Sequence, residues 1–559
     1  MAEGFAHMNN SYTIGTLLLD RLYKLGLHHI FGIPGDYVLT LYKLIEESPI
    51  RHIGTTREDC AGFAADAYAR IHGIGGACVT YCVGGLNMVN AIACAYAERS
   101  PVVVISGSPG LAERVNNPFL HHMVRDFSTQ RDVFEKITVA SVILDDPHTA
   151  EREIDRALKA LMEFKRPIYL EIPRDLVLTP VQVVSMEPPN GTTCQSDPAA
   201  LKEAVAEVRT ILSDSERPVI LAGAEIHRFG LQHELTGLVE HMNVPVATTL
   251  LGKSVIREDH PLYIGVYGGL VGREEILEFV ENADCLLTLG TLLTDVEDVK
   301  AHSLLLAAGR TVHATADSIA IKHHTYDGVN FEDFIRALAT SPLPSFRART
   351  LPLRDSVRFD PPRPETAVTL RNVFGYLDGL LNDKTVVIAD VGESLFAAAD
   401  LRVRKSAEFL SPAYYTSMGF SVPAALGAGF ADPTLRPLVL VGDGAFQMTG
   451  TELSTCIRHG QSPIVVVLNN RGYSTEREIL EGPFNDIHEW QYEKVCDLLG
   501  GGVGHRVATF GDLVQALDVA VGDHKQAHVL NVLLDPKDRS IAMKRVAQRL
   551  AKRLSGQKH

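Results

Sequence analysis

The chain has 559 residues, which is more than one hydrophobic core usually supports, so several domains are expected. Hydrophobic residues make up 46% and charged residues 22%, a composition typical of globular proteins. The net charge of -15 disfavours a nucleic-acid surface, which needs clustered lysines and arginines.

The N-terminus and the cysteines bear on the compartment. MAEGFAHMNNSYTIG has no basic stretch followed by an apolar core, so no secretory signal is predicted. No uninterrupted apolar run approaches the roughly 20 residues that a membrane helix needs. The eight cysteines form no CxxC pair, and most lie inside apolar runs, as buried free thiols do in a reducing compartment. We therefore expect a soluble cytoplasmic protein without a membrane partner.

The first third of the chain, from Tyr12 to about Pro180, alternates short apolar runs with stretches of helical length. The runs are HHIFGIPG, RHIGTT, GACVTYC, SPVVVISG and PIYLEIP. This alternation predicts a parallel α/β sheet. The stretch MEPPNGTTCQSDP, rich in Pro, Gly, Ser and Thr, then predicts a linker.

The alternation returns twice. RPVILAGAEI, VPVATTLLG, ADCLLTLGT and RTVHATAD form the second set, and LPSFRARTLPLRDSVRFDPPRPETA predicts another linker. KTVVIADVG, RPLVLVGDG, SPIVVVLNN and AHVLNVLLD form the third set. The predicted fold is α/β, with three doubly wound parallel-sheet domains at residues 1–185, 195–342 and 363–559.

The stretch VGDGAFQMTGTELSTCIRHGQSPIVVVLNNRGYSTE contains the first candidate site. RPLVLV and PIVVVL are predicted strands, and TGTELSTCIRHG between them is a predicted helix with Gly460 as its C-terminal cap. Because the two strands are parallel, the loops at Asp443 and Asn470 both emerge at the carboxyl edge, where open α/β sheets bind ligands. GDG or NN alone would be typical of an ordinary turn, whereas the pair indicates a site.

The residue types in these loops favour a metal-bound diphosphate. Asp443 offers a carboxylate oxygen, Asn470 an amide oxygen and Gly472 a backbone carbonyl, which are hard ligands suited to Mg²⁺. Gly442 and Gly444 let the backbone approach phosphate closely, and a helix starting after Gly444 would favour an anion.

The spacing of GDG and NN resembles the thiamine diphosphate motif. The continuation RGYSTEREILEGPFNDIHEW resembles the 2-oxo acid decarboxylases, including pyruvate, indolepyruvate and branched-chain 2-oxo acid decarboxylases. The resemblance covers nearly the whole chain and implies the domain order pyrimidine-binding, central, diphosphate-binding. It also implies non-oxidative decarboxylation of a 2-oxo acid to an aldehyde and CO2, with thiamine diphosphate and Mg²⁺.

The resemblance implies two residues that act on the cofactor rings. Glu58, where RHIGTT meets EDCAGFAADAYAR, would bind the pyrimidine N1', although a helix-start acid is also ordinary at that position. Arg-Glu-Asp stands here where pyruvate-type relatives often have Asn-Glu-Leu. Met418 in YTSMGFSVPAALGAG would support the bent cofactor. The full implied cofactor set is Glu58, Gly392, Thr416, Met418, Gly442, Asp443, Gly444, Ala445, Asn470, Gly472, Tyr473 and Ser474.

Four further residues match the acid and base groups of these decarboxylases. They are Asp36 in PGDY, His121 and His122 in LHHM, and Glu476 in GYSTE. Imidazole and carboxyl groups suit proton transfer, and which group performs which step stays open. With Glu58 they form the implied catalytic set. Because the implied residues come from the first and third segments, which meet across a subunit interface in this family, a homodimer or a dimer of dimers is implied.

The substrate preference rests on six residues that align with the wall of the family's pocket. Aromatic residues narrow this wall in pyruvate-specific relatives, whereas this chain has Val296, Leu395, Thr475, Ile479, Met543 and Val546. We therefore expect branched, longer-chain or aromatic 2-oxo acids. Three alternatives are a pyruvate-preferring decarboxylase, a carboligase of the acetolactate synthase type, which generally lacks tandem HH, and a non-catalytic relative, which would lack the glutamate or GDG–NN.

Overall fold

The computed structural model describes residues 12–185, 195–269, 271–294, 310–352, 359–404 and 408–556. They form two compact units. The first unit comprises residues 1–193 together with 423–433 and 451–455, and the second comprises 194–422, 434–450 and 456–559. Val296 and most of the first predicted linker lie outside the described residues.

The first unit is built on a six-stranded parallel sheet. Its strands, in spatial order, are Arg51–Gly54, His29–Gly32, Gly75–Val79, Val102–Ser108, Ile168–Pro173 and Ala140–Ile143. A two-stranded antiparallel sheet joins Tyr12–Thr13 to Pro180–Val181. The helices of its N-terminal part are Ile14–Lys24, Leu39–Glu47, Glu58–His72, Val83–Asn87, Val89–Ala97, Thr129–Phe134 and Ala150–Phe164. The five predicted apolar strands are confirmed.

The second unit contains two sheets. The central sheet runs, in spatial order, Tyr263–Val266, Val246–Thr248, Pro218–Ala222, Cys285–Leu289, Thr311–Ala314, Ile319–Ile321 and His324–Thr325. Its first five strands are parallel. At the other edge a turn reverses the chain, with the Thr315 amide donating to the Ser318 carbonyl, so the last two strands are antiparallel.

The C-terminal sheet of the second unit has six parallel strands. Their spatial order is Glu408–Leu410, Thr385–Ala389, Arg436–Gly442, Ile464–Asn469, His528–Leu533 and Val503–Val507. The helices after residue 195 are Pro198–Ser213, Ala224–Arg228, Gln232–Met242, Glu274–Glu281, Phe331–Thr340, Leu370–Leu380, Glu393–Ala398, Ser421–Ala431, Asp443–Thr449, Leu453–Arg458, Ser474–Ile479, Val495–Leu499, Phe510–Gly522 and Ile541–Gly556. The predicted α/β fold with parallel sheets is confirmed.

The helix predicted between GDG and NN differs in detail. It starts at Asp443 itself, ends at Thr449, and resumes at Leu453–Arg458 after a 3₁₀ turn over Gly450–Glu452. Thr449 and Gly450 are weak helix formers, and the Thr449 hydroxyl donates to the Gly419 carbonyl, which favours this break. Gly460, at φ 68°, follows the second piece as predicted.

Burial agrees with the expectation of buried free thiols as far as the described residues go. The seven described cysteines are all buried and free; Cys194 lies outside the described residues. Among the described helices, none combines the length and apolarity needed to cross a bilayer.

Candidate active site

Asp443 joins two loops at the carboxyl edge of the C-terminal sheet. Its Oδ1 accepts a 2.8 Å hydrogen bond from the Gly444 amide. Its Oδ2 accepts from the amides of Arg471 and Gly472 at 2.6 and 3.2 Å. The side chain is buried, and this burial raises the pKa of Asp443 to about 6 despite the opposing amide bonds. A cation beside it would offset the desolvation of the carboxylate.

Asn470 carries a buried oxygen without a protein partner. The residue is 6% exposed, and among the described residues nothing donates a hydrogen bond to its Oδ1. Leaving such an atom unsatisfied costs about 1–3 kcal/mol, so it indicates a ligand that the protein itself does not supply. A carboxylate and an amide oxygen from adjoining loops fit the oxygen ligands of Mg²⁺.

The glycines of these loops are required by close contacts. Gly472 has φ 154°, and a Cβ there would lie 2.2 Å from the Asn485 carbonyl oxygen. A Cβ on Gly444 would lie 2.6 Å from the Tyr473 ring. At Gly442, by contrast, a Cβ would meet no atom within 4 Å, so its backbone borders open space. Ala445 and Ser474 are buried beside these loops.

The turn containing Thr416 and Met418 is fixed by Asp390, a residue that the sequence analysis missed. Thr416 is exposed with φ 56°, and Met418 is half-buried. The buried Asp390 carboxylate accepts hydrogen bonds from the Gly419 amide at 3.1 Å and from the Ser421 amide and hydroxyl at 2.9 and 2.7 Å. An acid directly after the buried run TVVIA was the available signal.

Gly392, two residues after Asp390, lies close to the helix that contains Glu476. Its φ is 89°, and a Cβ there would lie 3.4 Å from the Thr475 hydroxyl. Glu476 lies exposed on the short helix Ser474–Ile479. Next to Gly392, burial raises the pKa of Glu393 to about 7, and its Oε1 accepts from the Ser540 amide at 3.3 Å.

Glu58 begins the helix Glu58–His72 in the first unit and is half-buried. The Asn87 side-chain amide donates to its Oε2 at 2.6 Å. Two residues earlier, the amide and hydroxyl of Thr56 donate to buried Glu452 at 3.0 and 2.5 Å. Asn87 and Glu452 were also missed, because their sequence separation from Glu58 gives no local signal.

Asp36, His121 and His122 form one cluster in the first unit. His121 Nε2 lies 2.8 Å from Asp36 Oδ2, and His122 Nε2 lies 3.9 Å from Asp36 Oδ1. His122 has φ 67°, a left-handed conformation. Both imidazoles of the tandem pair therefore approach one carboxylate.

Tyr37 and Arg174 border this cluster. The Tyr37 ring stacks on His121 with centroids 4.6 Å apart, and its hydroxyl lies 3.1 Å from His121 Nδ1. Arg174 Nη1 lies 3.4 Å from Asp36 Oδ2, and the same guanidinium pairs with Glu113. Burial raises the pKa of Tyr37, which keeps its hydroxyl protonated. His121 is thus contacted through both ring nitrogens.

The residues proposed for the substrate wall occupy unlike environments. Leu395, Met543 and Val546 are buried within one apolar cluster of the second unit. Thr475 is half-buried, whereas Ile479 is 68% exposed. Val296 is outside the described residues. The only tryptophan, Trp490, packs near Tyr492.

Comparisons with known proteins agree with this architecture. Residues 12–131 match the thiamine pyrophosphate enzyme N-terminal TPP binding domain, residues 205–338 the central domain, and residues 390–532 the C-terminal TPP binding domain. An indole-3-pyruvate decarboxylase of Azospirillum brasilense is 37% identical over 92% of this chain and 94% of its own length.

Two other relatives have similar coverage. An alpha-keto-acid decarboxylase of Mycolicibacterium paratuberculosis is 34% identical over 94% of each chain. Pyruvate decarboxylase 4 of Arabidopsis thaliana is 32% identical over 92% of this chain and 87% of its own length. The chain therefore belongs to the thiamine diphosphate-dependent 2-oxo acid decarboxylases, which are carboxy-lyases.

Proposed function

We propose that this chain converts a 2-oxo acid into an aldehyde and CO2 without oxidation, and that Asp36, His121, His122 and Glu476 serve as its proton-transfer groups. The observation that carries the proposal is the cluster in which both imidazoles approach the Asp36 carboxylate, at 2.8 and 3.9 Å. When bound, thiamine diphosphate supplies the electron sink into which the carbon–carbon bond electrons of the 2-oxo acid flow.

The cofactor is held through Mg²⁺ in this proposal. The ion would take Asp443, Asn470 and the Gly472 carbonyl as ligands. The buried and unpartnered Asn470 Oδ1 supports this assignment, as does the buried Asp443 carboxylate. The Glu58 carboxyl would bind the pyrimidine N1'.

The protein groups around His121 suit reversible proton transfer. The Tyr37 hydroxyl at Nδ1 and the Asp36 carboxylate at Nε2 fix the plane of the imidazole. A ring held in this way can give up or accept a proton without reorienting. Loss of CO2 leaves a carbon that must be protonated before the aldehyde leaves, and this cluster would supply that proton.

The proposed substrates are branched, longer-chain or aromatic 2-oxo acids. Support comes from the relative named an indole-3-pyruvate decarboxylase. Each extra buried methylene of substrate stabilises its complex by roughly 0.8 kcal/mol, so three or four carbons could raise kcat/KM about 100-fold.

A 2-oxo acid panel tests the proposal. Purified holoenzyme is assayed for CO2 and aldehyde with pyruvate, 2-oxoisovalerate, 2-oxooctanoate, phenylpyruvate and benzoylformate. We expect an aldehyde and equimolar CO2, with kcat/KM lowest for pyruvate. Pyruvate giving the highest kcat/KM would contradict the substrate preference. A hydroxy-oxo acid formed from two substrate molecules would instead favour the carboligase alternative.

We further propose a cytoplasmic homodimer or dimer of dimers with active sites at subunit interfaces. The resemblance to the decarboxylase family supports this proposal, because the implied site residues come from the first and third segments of the chain. Sedimentation of the holoenzyme tests the assembly, and a stable, fully active monomer would contradict it.

A further inference from the structure

Glu58 has one side-chain hydrogen-bond partner in the described part of the chain, and that partner is Asn87. The Asn87 amide nitrogen lies 2.6 Å from Glu58 Oε2. The nitrogen must be the donor, because a carboxylate oxygen accepts. The second oxygen, Oε1, has no hydrogen-bond partner among the described residues, and a Cβ added to Gly84 would lie 3.7 Å from it. The carboxyl group is thus held by one oxygen and open at the other.

The short helix that presents Asn87 is anchored from the sheet. It spans Val83–Asn87 and follows Cys82, whose backbone has φ 50°. The Cys82 amide donates to the Gln130 Oε1 at 2.5 Å. A Cβ on Gly85 would lie 2.3 Å from the same oxygen, so the first turn of this helix packs directly on Gln130.

The anchor continues into the core of the first unit. Gln130 is fully buried, and its Nε2 donates to Ser106 Oγ at 2.8 Å and to the Tyr169 hydroxyl at 2.5 Å. Tyr169 in turn donates to Glu171 at 2.7 Å. Because buried Gln130 is bonded through both the oxygen and the nitrogen of its side-chain amide, the position of the helix is well defined.

We propose that Asn87 is a positioning residue for Glu58: it fixes the carboxyl rotamer so that Oε1 stays available to bind the pyrimidine N1'. This inference rests on the proposed function, in which Glu58 binds that nitrogen. Without the amide, the carboxyl group of Glu58 would rotate among several rotamers and its competent orientation would be populated only part of the time.

The test compares Asn87→Ala, Asn87→Asp and Asn87→Gln with Glu58→Gln and with Val83→Ala. Val83 is an exposed residue of the same helix and serves as the matched control. Two quantities are measured without substrate: the affinity for thiamine diphosphate by calorimetry with Mg²⁺, and the rate of hydrogen–deuterium exchange at the cofactor C2 position by quenched NMR.

We expect Asn87→Ala and Asn87→Asp to slow C2 exchange about 10- to 100-fold, because hydrogen bonds to charged groups are the strong ones. Asn87→Gln should recover part of this loss, and kcat should fall in parallel while KM changes little. Cofactor affinity should fall far less than the exchange rate. Wild-type exchange in both Asn87 variants, with slow exchange in Glu58→Gln, would overturn this inference alone.

Two other outcomes are also decisive. Wild-type exchange in Glu58→Gln would overturn the cofactor role of Glu58 in the proposed function, and the role of Asn87 with it. Loss of cofactor binding in Asn87→Ala, with Val83→Ala normal, would show that Asn87 holds the cofactor or its helix rather than the Glu58 rotamer, and would overturn the positioning role.

Discussion

His121 and Asp36 lie 85 residues apart in the chain, and their side chains meet at 2.8 Å. His122, the next residue, comes within 3.9 Å of the same carboxylate and has φ 67°. Positive φ is uncommon for a residue other than glycine. Two adjacent histidines therefore approach one carboxylate at a point where the backbone is left-handed.

Replacing Asp36 by Asn should lower kcat sharply. The change keeps the shape of the side chain but removes the charge that stabilises and orients His121. We expect a loss of about 100-fold or more in kcat with unchanged cofactor affinity. Steady-state kinetics and calorimetry measure the two quantities. The exposed His148→Asn, which has no side-chain contact to this cluster, is the control and should behave as wild type.

Replacing Asn470 by Leu should preserve or raise the stability of the cofactor-free protein but weaken cofactor binding. Removing a buried oxygen without a partner should leave the cofactor-free protein as stable or more stable, by about 1–3 kcal/mol. Affinity for thiamine diphosphate with Mg²⁺ should fall steeply. Urea unfolding in chelator and calorimetry measure the two effects. A variant that is less stable without cofactor but binds it normally would contradict the assignment of Asn470 as a metal ligand.

Replacing Glu393 by Gln should change how stability depends on pH. Burial raises the pKa of Glu393 to about 7, so between about pH 4.5 and 7 the folded protein binds more protons than the unfolded chain. The contribution of Glu393 to the free energy of unfolding is therefore fully present below this pH window, and it is lost as the pH rises through the window. The quantity to compare is the free energy of unfolding of Glu393→Gln minus that of wild type. We expect this difference to be about 3 kcal/mol more positive at pH 8 than at pH 4.5.

The Glu393 measurement is a pair of urea unfolding series at the two pH values. Gln keeps an oxygen that can accept from the Ser540 amide, so the hydrogen bond at the start of the C-terminal helix is retained. Identical pH dependence in the two proteins would show that Glu393 titrates normally.

Replacing Asp390 by Asn should loosen the turn that contains Met418. Asp390 accepts three hydrogen bonds from Gly419 and Ser421. In Asn, an NH2 group replaces one carboxylate oxygen and would face one of these hydrogen-bond donors. We expect a loss of about 2–3 kcal/mol in stability and weaker cofactor binding. Ser421→Ala removes one of the three bonds and should cost less. Equal losses in the two variants would contradict this ranking.

Sequence patterns predicted the central strands of each sheet better than the edges. The strands Ile464–Asn469 and Val102–Ser108 are buried along their whole length, and each begins with four or more consecutive apolar residues. Most of the strands that were missed, including Ala140–Ile143, Glu408–Leu410 and Val503–Val507, lie at sheet edges, whereas the missed strand Ile319–Ile321 lies between two strands of the central sheet. An edge strand has a partner on one side only and tolerates polar residues, so the apolar signal is absent.

Candidate site residues divide in a similar way. Asp443 and Asn470 lie at the ends of two neighbouring apolar runs, and Asp36 lies in the turn PGDY after another, so sequence marked them as groups at a sheet edge. Asp390 also follows an apolar run but has no paired motif, and Asn87 lies on a short helix; the contacts of both with the residues they hold exist only after folding. Burial of Leu395 and Met543 in the apolar cluster likewise follows from tertiary packing.

The first unit contains segments from distant parts of the chain, and this affects how it folds during synthesis. Its compact body includes residues 423–433 and 451–455, which follow the N-terminal 193 residues by more than two hundred positions. Within that body a Cβ on Gly427 would lie 2.0 Å from the Ala64 carbonyl, and Glu452 accepts from Thr56. A ribosome needs roughly 12 to 50 s to reach those late segments after completing residue 193. Until then, the nascent first unit leaves Ala64 uncovered and Thr56 without its acceptor, so we expect it to complete its fold only late in synthesis.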